Sequence, residues 1–400
     1  MSDMRFETSP SKAQRNERGI ILAIVLVLIF ALITAVYAFQ RNAIIDATIS
    51  RNRVDAAEAD ALAKGGLRIA EVIVAVVRAK QLATGPGGNG DERVQPLDFS
   101  SAGASQIDLL WQGVEGVPFD VGEDRSLKIE IEDEGAKLNL NALIEPSPVD
   151  TDAGGAPLDN EDESDPDPDS GSSVSEEAVE YLEKVLEYII AGIDAPAEQK
   201  NYDPAKIAEN ILDFIDGDET AVNGRNENEY YRRQDPPYDA WNRPLVSIDQ
   251  IGMVEEVDGP LVRELRKYLT VHPIGDSAGI NLNRASPWVL KLVYTGNSGN
   301  QRLIDDQLAT DIFRLREKGK KICDEAAADP SCVGRASVGN GEFGNGEIYP
   351  PTELPAKPTV FRVLATAQVG GILRRFEAIF DTRPTPGPQL LSWRRLRGVE

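Results

Sequence analysis

The sequence predicts an α+β protein in which one very long N-terminal helix packs on an antiparallel sheet, and a large helical insertion interrupts that sheet. Three observations predict it. Ile20 to Phe39 form twenty uncharged, mostly apolar positions that run without Gly or Pro into an amphipathic stretch ending near Thr84. Strand-like alternation occurs at Leu127–Ile131 and again within Thr359–Asp381. Between them, from Ala178 to Lys318, helical periodicities dominate.

The apolar run, at about 1.5 Å per helical residue, spans the roughly 30 Å of a bilayer's hydrocarbon core. Beyond it, apolar residues recur at Ile44/Ile45, Ile49, Val54, Ala57 and Ala61/Leu62, then at Leu67, Ile69/Ala70, Val72/Ile73 and Val76/Val77. Spacings of three and four predict one buried helix face. Gly65-Gly66 marks a bend, and Ala83-Thr84-Gly85-Pro86 marks the stop. Three fates of the run are open: removal as a signal peptide with Val36-Tyr37-Ala38 at the cut, retention as an uncleaved anchor, or cleavage after Gly19 that makes Ile20 the new N-terminus. The long continuation favours retention, because it joins an anchor to a packing spine. Arg5, Lys12, Arg15 and Arg18 precede the run, so the bulk of the chain is expected outside the cytoplasm.

After Leu127–Ile131, Lys137-Leu138-Asn139-Leu140 alternates again past a Glu134-Gly135 turn. Residues 150–177 are low-complexity and acidic, an expected linker. Ala178–Ala191, capped near Ser175, and Pro204–Ile215 read as helices. Val246–Leu269 reads as two short helices around Asp258-Gly259-Pro260, followed by helices at Ser286–Tyr294 and Leu303–Lys318. Thr359–Thr366 and Leu373–Asp381, on either side of Gly370-Gly371, read as a hairpin.

Length and charge bound the function. Four hundred residues imply two or three domains, and 42 Lys+Arg against 66 Asp+Glu give a net charge of −24. Such a surface repels nucleic acid and can attract divalent cations. His272 is the single histidine, and metalloprotease, P-loop and serine-hydrolase signatures are missing, so the chain reads as a non-enzyme. The spacing of Cys323 and Cys332 closes a small loop, and outside the cytosol a disulfide is expected.

Several segments, in this order, resemble the minor pseudopilin K subunits of bacterial type II secretion systems. Arg18-Gly19 plus the apolar run resembles the prepilin-peptidase site of that family, and Leu138-Asn139-Leu140-Asn141-Ala142-Leu143 is similar to its motif after the first strand. Asp213-Phe214-Ile215-Asp216-Gly217-Asp218, with Gly224, Glu227 and Tyr230-Tyr231, resembles another, although Phe214 stands where the family usually has Trp. Pro236-Pro237-Tyr238, Asn242-Arg243-Pro244-Leu245 and Ser247, then Ile280-Asn281-Leu282-Asn283-Arg284-Ala285, continue the likeness, and Ser392-Trp393 falls where the family often ends.

The resemblance implies a leader at 1–19 removed after Gly19, N-methylation of Ile20, and an inner-membrane helix at 20–39. It implies a pilin-like domain from 40–143 and 346–400, with a helical insertion at 144–345. It further implies a structural role at the tip of the periplasmic pseudopilus, starting its assembly in support of the export of folded proteins across the outer membrane. The implied partners are minor pseudopilins I and J, the major pseudopilin and, as processing enzyme, the prepilin peptidase.

Ordinary pilins carry Glu at mature position five, to pair with the amino terminus of the subunit added before. Here that position is Ile24, as expected of a subunit with nothing above it.

Two stretches approach calcium-loop spacing: Asp165, Asp167, Asp169 with Glu176, and Asp216, Asp218, Thr220 with Glu227. The first reads better as solvated linker. The second coincides with the domain in which family members bind calcium. The competing readings are an anchored periplasmic calcium-binding protein outside any filament, or a helix-hairpin-helix nucleic-acid binder, which Glu255, Glu256 and Asp258 at the hairpin oppose.

Overall fold

The computed structural model describes residues 12–84, 117–122, 124–144, 174–193, 202–222, 224–274, 279–296, 302–325, 330–339, 343, 347–384 and 387–397. Helix α1 (Lys12–Thr84) is one uninterrupted helix of 73 residues. It is long and apolar enough in its first half to cross a membrane, and the side chains from Ile20 to Phe39 lie open. The hydroxyl of Thr34 within this run donates to the Phe30 carbonyl at 2.8 Å, which removes the cost of carrying a free donor into lipid.

The helix is unbroken through Gly65-Gly66. Gly66 serves contact with the sheet. A Cβ at Gly66 would sit 2.9 Å from Leu127 Cδ1 and 3.2 Å from Ala365 Cβ, so its absence lets the helix lie close on the sheet. The buried face agrees with the expected one at Ala70, Ile73 and Val77 and adds Ala59, Ala63 and Val74, whereas Ile44, Ile45, Ile49, Val54, Ile69 and Val72 are exposed. Close approach selects Ala and Gly where the helix meets the middle of the sheet; Ile44, Ile45 and Ile49 precede the Asp55 contact with the β-turn at Gly370, and Ile69 and Val72 lie on the side away from Ala70 and Ile73.

The sheet has five antiparallel strands in the order β1-β2-β10-β11-β12, where β1 is Val117–Asp120, β2 Arg125–Asp133, β10 Val360–Val369, β11 Ile372–Asp381 and β12 Gln389–Leu396. Ile129 pairs with Ala365 and Ala365 with Phe376 on the face toward α1. Strand β12 was not anticipated; it pairs with β11 through Ala378 and Trp393, and Trp393 stacks on Phe376 at 5.7 Å. Gly370, with φ of +55°, turns β10 into β11 beside Asp55, whereas Gly66, farther along α1, faces Ala365. Moving away from the membrane run along α1 therefore means moving toward Asp133 and Val360. The chain leaves the sheet at Asp133 and rejoins it at Val360, both at the end far from the anchor.

That insertion has its own core. Helices α2 (Glu176–Ala191), α3 (Pro204–Asp213) and α5 (Gly259–Leu265) bury Tyr181, Leu182, Ile207, Ile211, Leu261 and Leu265 against each other, with α4 (Asn228–Tyr231), α6 (Pro287–Leu290) and α7 (Asp306–Glu317) around them. Ser175 caps α2 by accepting from the Ala178 amide, and Asp203 precedes a Pro at the first turn of α3.

The domain limits at 143 and 346 need correction. Leu138, Leu140, Leu143 and Leu354 pack in the insertion core, so the sheet domain stops at Asp133 and resumes at Val360. Nor is the insertion all-helical. The expected strand after Glu134-Gly135 is two residues long (β3, Leu138–Asn139) and pairs in parallel with β4 (Leu269–Thr270), far along the chain. Short pairings also join β5 (Tyr294–Gly296) to β6 (Arg302–Leu303) and β9 (Glu347–Tyr349), and β7 (Lys321–Cys323) to β8 (Cys332–Gly334). The helix expected over Ser286–Tyr294 is only Pro287–Leu290, and the first of the pair before Asp258 is a 3-10 helix, Ile248–Met253.

Candidate functional site

The junction between insertion and sheet is built from buried amides. Asn281 donates to Asp133 at 2.8 Å, and its backbone amide donates to the Gly135 carbonyl at 2.7 Å. Asn141 donates to the Leu245 and Val271 carbonyls at 2.9 and 2.7 Å and accepts from the Leu245 amide at 2.8 Å. Asn283 donates to the Ile322 carbonyl and accepts from the Ile322 amide in the same two-sided way, and Asn139 donates to the Pro273 carbonyl. A carboxamide can satisfy a strand-like donor and acceptor together, which irregular buried backbone needs. The Asn repeats that carried the family likeness are thus pins between distant loops. Burial pushes the Asp133 carboxyl up to about 6, against the pull of its Asn281 and Gly135 donors.

His272 lies in this junction, not in a catalytic constellation. It is buried, its backbone amide donates to Thr270 Oγ1 at 3.2 Å, and burial lowers its proton affinity.

The acidic site lies in the loop from α3 to α4. Phe214 and Tyr231, both buried and 5.3 Å apart in edge contact, hold the two ends of the loop together. Within it, the Thr220 amide donates to Asp218 Oδ1 at 2.7 Å, Thr220 bridges Asn226, and Gly224 turns the chain at φ +75°. One carboxylate oxygen each of Asp216, Asp218 and Glu227 lies within 4.8 Å of the others. Asp216 and Glu227 are 2% and 7% exposed. Asp216 Oδ1, both Glu227 oxygens and the nearby Asn242 Oδ1 have no hydrogen-bond donor.

Burial, then the Glu227 charge, pushes Asp216 up to about 9; burial, then the Asp213 charge, pushes Glu227 up to about 8. Several oxygens with no donor around one point demand a proton or a cation. Calcium takes oxygen ligands at about 2.3–2.6 Å, so opposed ligands stand about 4.6–5.2 Å apart, as these can. The residues fit that ion.

Of the expected set, Asp216, Asp218 and Glu227 come together; Thr220 serves the loop, and the surroundings are not a paired-helix calcium hand. Asn242 was missed as a member. It reaches back from beyond α4, donating from its amide to the Asp218 carbonyl and from its backbone to the Phe214 carbonyl at 3.1 Å. Asp165, Asp167 and Asp169 lie outside the described residues, and Glu176 sits in the first turn of α2.

Gly19, Ile20 and Ile24 all lie within α1, with Ile20 and Ile24 exposed. Cys323 and Cys332, on the parallel strands β7 and β8, are joined in a disulfide with Cα atoms 5.9 Å apart.

Residues 136–274 match the family model described as type II secretion system protein K. Among solved structures, the chain is similar to a chain in the crystal structure of the GspK-GspI-GspJ complex from the enterotoxigenic Escherichia coli type 2 secretion system. The identity is 18%, the match covers 74% of this chain and 95% of that one, and the TM-score is 0.44. No curated protein sequence matches the chain. Residues 136–274 hold the Asn139 and Asn141 pins, the Asp216–Glu227 loop and Asn242, so the segment that resembles protein K of type II secretion systems is the one that carries both the junction and the acidic site.

Proposed function

We propose that this chain is a minor pseudopilin that caps a periplasmic pseudopilus, with Gly19 and Ile20 as the prepilin-peptidase cleavage point and Ile20 as the methylated N-terminus. The observation that carries the reading is the position of the insertion. It leaves the sheet after Asp133 and returns at Val360, at the end remote from the membrane run, where its bulk opposes a further subunit stacked above. The exposed apolar residues of α1, Ile45 and Ile49 before the helix meets the sheet and Ile69 and Val72 on its outer side, give helices of neighbouring subunits apolar contacts. Minor pseudopilins I and J are the expected neighbours, followed by the major pseudopilin. The anchor lies in the inner membrane, with the bulk of the chain in the periplasm.

Ile24 supports the terminal place. A carboxylate there would enter the apolar filament core with no amino terminus above to pair it, and a buried unpaired charge costs several kcal/mol. The test is an Ile24→Glu variant in a secreting cell. Weakened initiation of pseudopili is expected; incorporation of the variant along the filament's length without defect would remove the pairing argument.

Calcium at Asp216, Asp218 and Glu227 would act structurally. It would neutralise the clustered carboxylates and draw the ends of the α3–α4 loop together; no reaction is ascribed to it. The nucleic-acid reading is opposed by Glu255 and Glu256, which face Lys206 at 3.5 and 2.8 Å on the hairpin that would have to meet phosphate.

A further inference from the structure

Residues 241–250 connect the acidic loop to the edge of the sheet with little slack. Asn242 starts the run: its backbone amide donates to the Phe214 carbonyl at 3.1 Å and its side chain to the Asp218 carbonyl. Trp241 and Arg243 brace it, with the guanidinium carbon 3.8 Å from the centre of the indole and Trp241 Nε1 donating to the Pro244 carbonyl at 3.2 Å. Leu245 is gripped by Asn141 at both its amide and its carbonyl. The amides of Val246 and Ser247 donate to Gln250 Oε1 at 2.8 and 2.9 Å, and Ser247 caps the 3-10 helix Ile248–Met253. Asp249, in the first turn of that helix, ends the run on Arg266 of the insertion and, at 2.8 Å, on Arg394 of β12.

The two ends differ in what they hold. Strand β12 is exposed along most of its length and pairs with β11 alone among the described residues, so it opens more readily than the strands inside the sheet. Among those residues, Asp249–Arg394 is the ion pair that ties it to the insertion. At the other end, Asp216 and Glu227 are more than nine-tenths buried, and Asp216 Oδ1, both Glu227 oxygens and Asn242 Oδ1 have no donor. A cation among these oxygens draws the loop and Asn242 inward. Carboxylates left to face one another push apart, and Asn242 moves with the Asp218 carbonyl that it holds. A segment whose backbone groups are fixed passes such a shift along instead of absorbing it.

We propose that residues 242–249 are a strap through which a divalent cation held by Asp216, Asp218 and Glu227 tightens the edge strand β12, and through which β12 in turn sets the affinity for the cation. This coupling rests on the calcium reading of the acidic site and goes beyond it, to the sheet. Linkage makes the effect reciprocal: the factor by which the cation favours the tied strand is the factor by which the tied strand favours the cation. The sign separates the strap from plain electrostatics. Replacing Arg394 by a neutral residue takes a positive charge off the chain, which by Coulomb's law alone raises its affinity for a cation. Loss of the strap's far anchor lowers it.

The test titrates calcium into the full chain in detergent micelles by calorimetry, with Glu227→Gln giving the background of exposed carboxylates. Arg394→Gln should bind calcium about fivefold more weakly than the wild type. Its neighbour Glu377 keeps Arg362 as a partner, and an unchanged melting transition in EDTA checks that the variant is folded. Arg397→Gln, an exposed arginine just past the strand, should leave the affinity unchanged or slightly raised. Hydrogen exchange at the β12 amides should slow on adding calcium to the wild type and not to Arg394→Gln. If Arg394→Gln does not fold, Asp249→Asn cuts the same tie from the insertion side and is read by the same exchange. Equal affinity in wild type and Arg394→Gln, or β12 exchange indifferent to calcium, would overturn the strap and leave the calcium site standing. Calcium bound no better by the wild type than by Glu227→Gln would overturn both.

Discussion

Replacing Glu227 by Gln should have opposite effects with and without calcium. Asp216 and Glu227 are buried beside each other with no donor on three of their four oxygens. Their proton affinities are raised, to about 9 and about 8, from the ordinary 3.8 and 4.5. For a carboxyl raised on folding, the stabilising protonated form is fully present below the unfolded pKa and is lost as pH rises through the folded one. The chain without metal should therefore lose stability steadily between about pH 5 and 9.

Calcium must displace those protons, so its benefit grows over the same range. At about a hundredfold excess over its dissociation constant, one ion adds about 2.7 kcal/mol. For a unit the size of the insertion this amounts to roughly 5–10 °C in Tm. Glu227→Gln removes one ligand and one buried charge. In calcium at about pH 8 it should lower Tm by most of that amount; in EDTA it should match or exceed the wild type, because a like-charge neighbour is gone. Scanning calorimetry of both forms in both buffers reads all four values. A wild-type Tm that EDTA leaves unchanged at about pH 8, or an equal loss for Glu227→Gln in both buffers, would refute the reasoning.

Two further outcomes follow from contacts in the fold. Gly66→Val should cost roughly 1–3 kcal/mol in urea unfolding, because its Cβ meets Leu127 and Ala365, while Gly65→Ala, with open space around it, should stabilise by about 0.5–1 kcal/mol. Asn141→Ala should lower the insertion's stability by roughly 3 kcal/mol or more, since two carbonyls and the Leu245 amide lose their partner in the interior; near-UV circular dichroism during denaturation would follow it.

Features governed by neighbours in sequence were readable. The end of α1 at Thr84, the Ser175 cap and the β10–β11 hairpin follow from periodicity, capping and a Gly turn, and the spacing of Asp216, Asp218 and Glu227 survives folding because one short loop carries all three. Features governed by contact partners far along the chain were not. Strand β3 finds its partner at Leu269, and Asn242 closes the acidic loop from outside it. Strand β12, with Leu390-Leu391 and Arg394-Arg395 adjacent, breaks the alternation that marks a strand because it lies at an exposed edge. The helix face against the sheet was legible at Ala70, Ile73 and Val77 but not at Ala59, Ala63 and Gly66, because apolar periodicity finds large residues, whereas the closest approach takes Ala and Gly.

The mass and N-terminal sequence of the mature chain from a secreting cell test the central claim most directly. A chain that begins at N-methylated Ile20, with the apolar run retained, is the predicted result. One that begins at Phe39, or one that keeps the residues before Ile20, would contradict it.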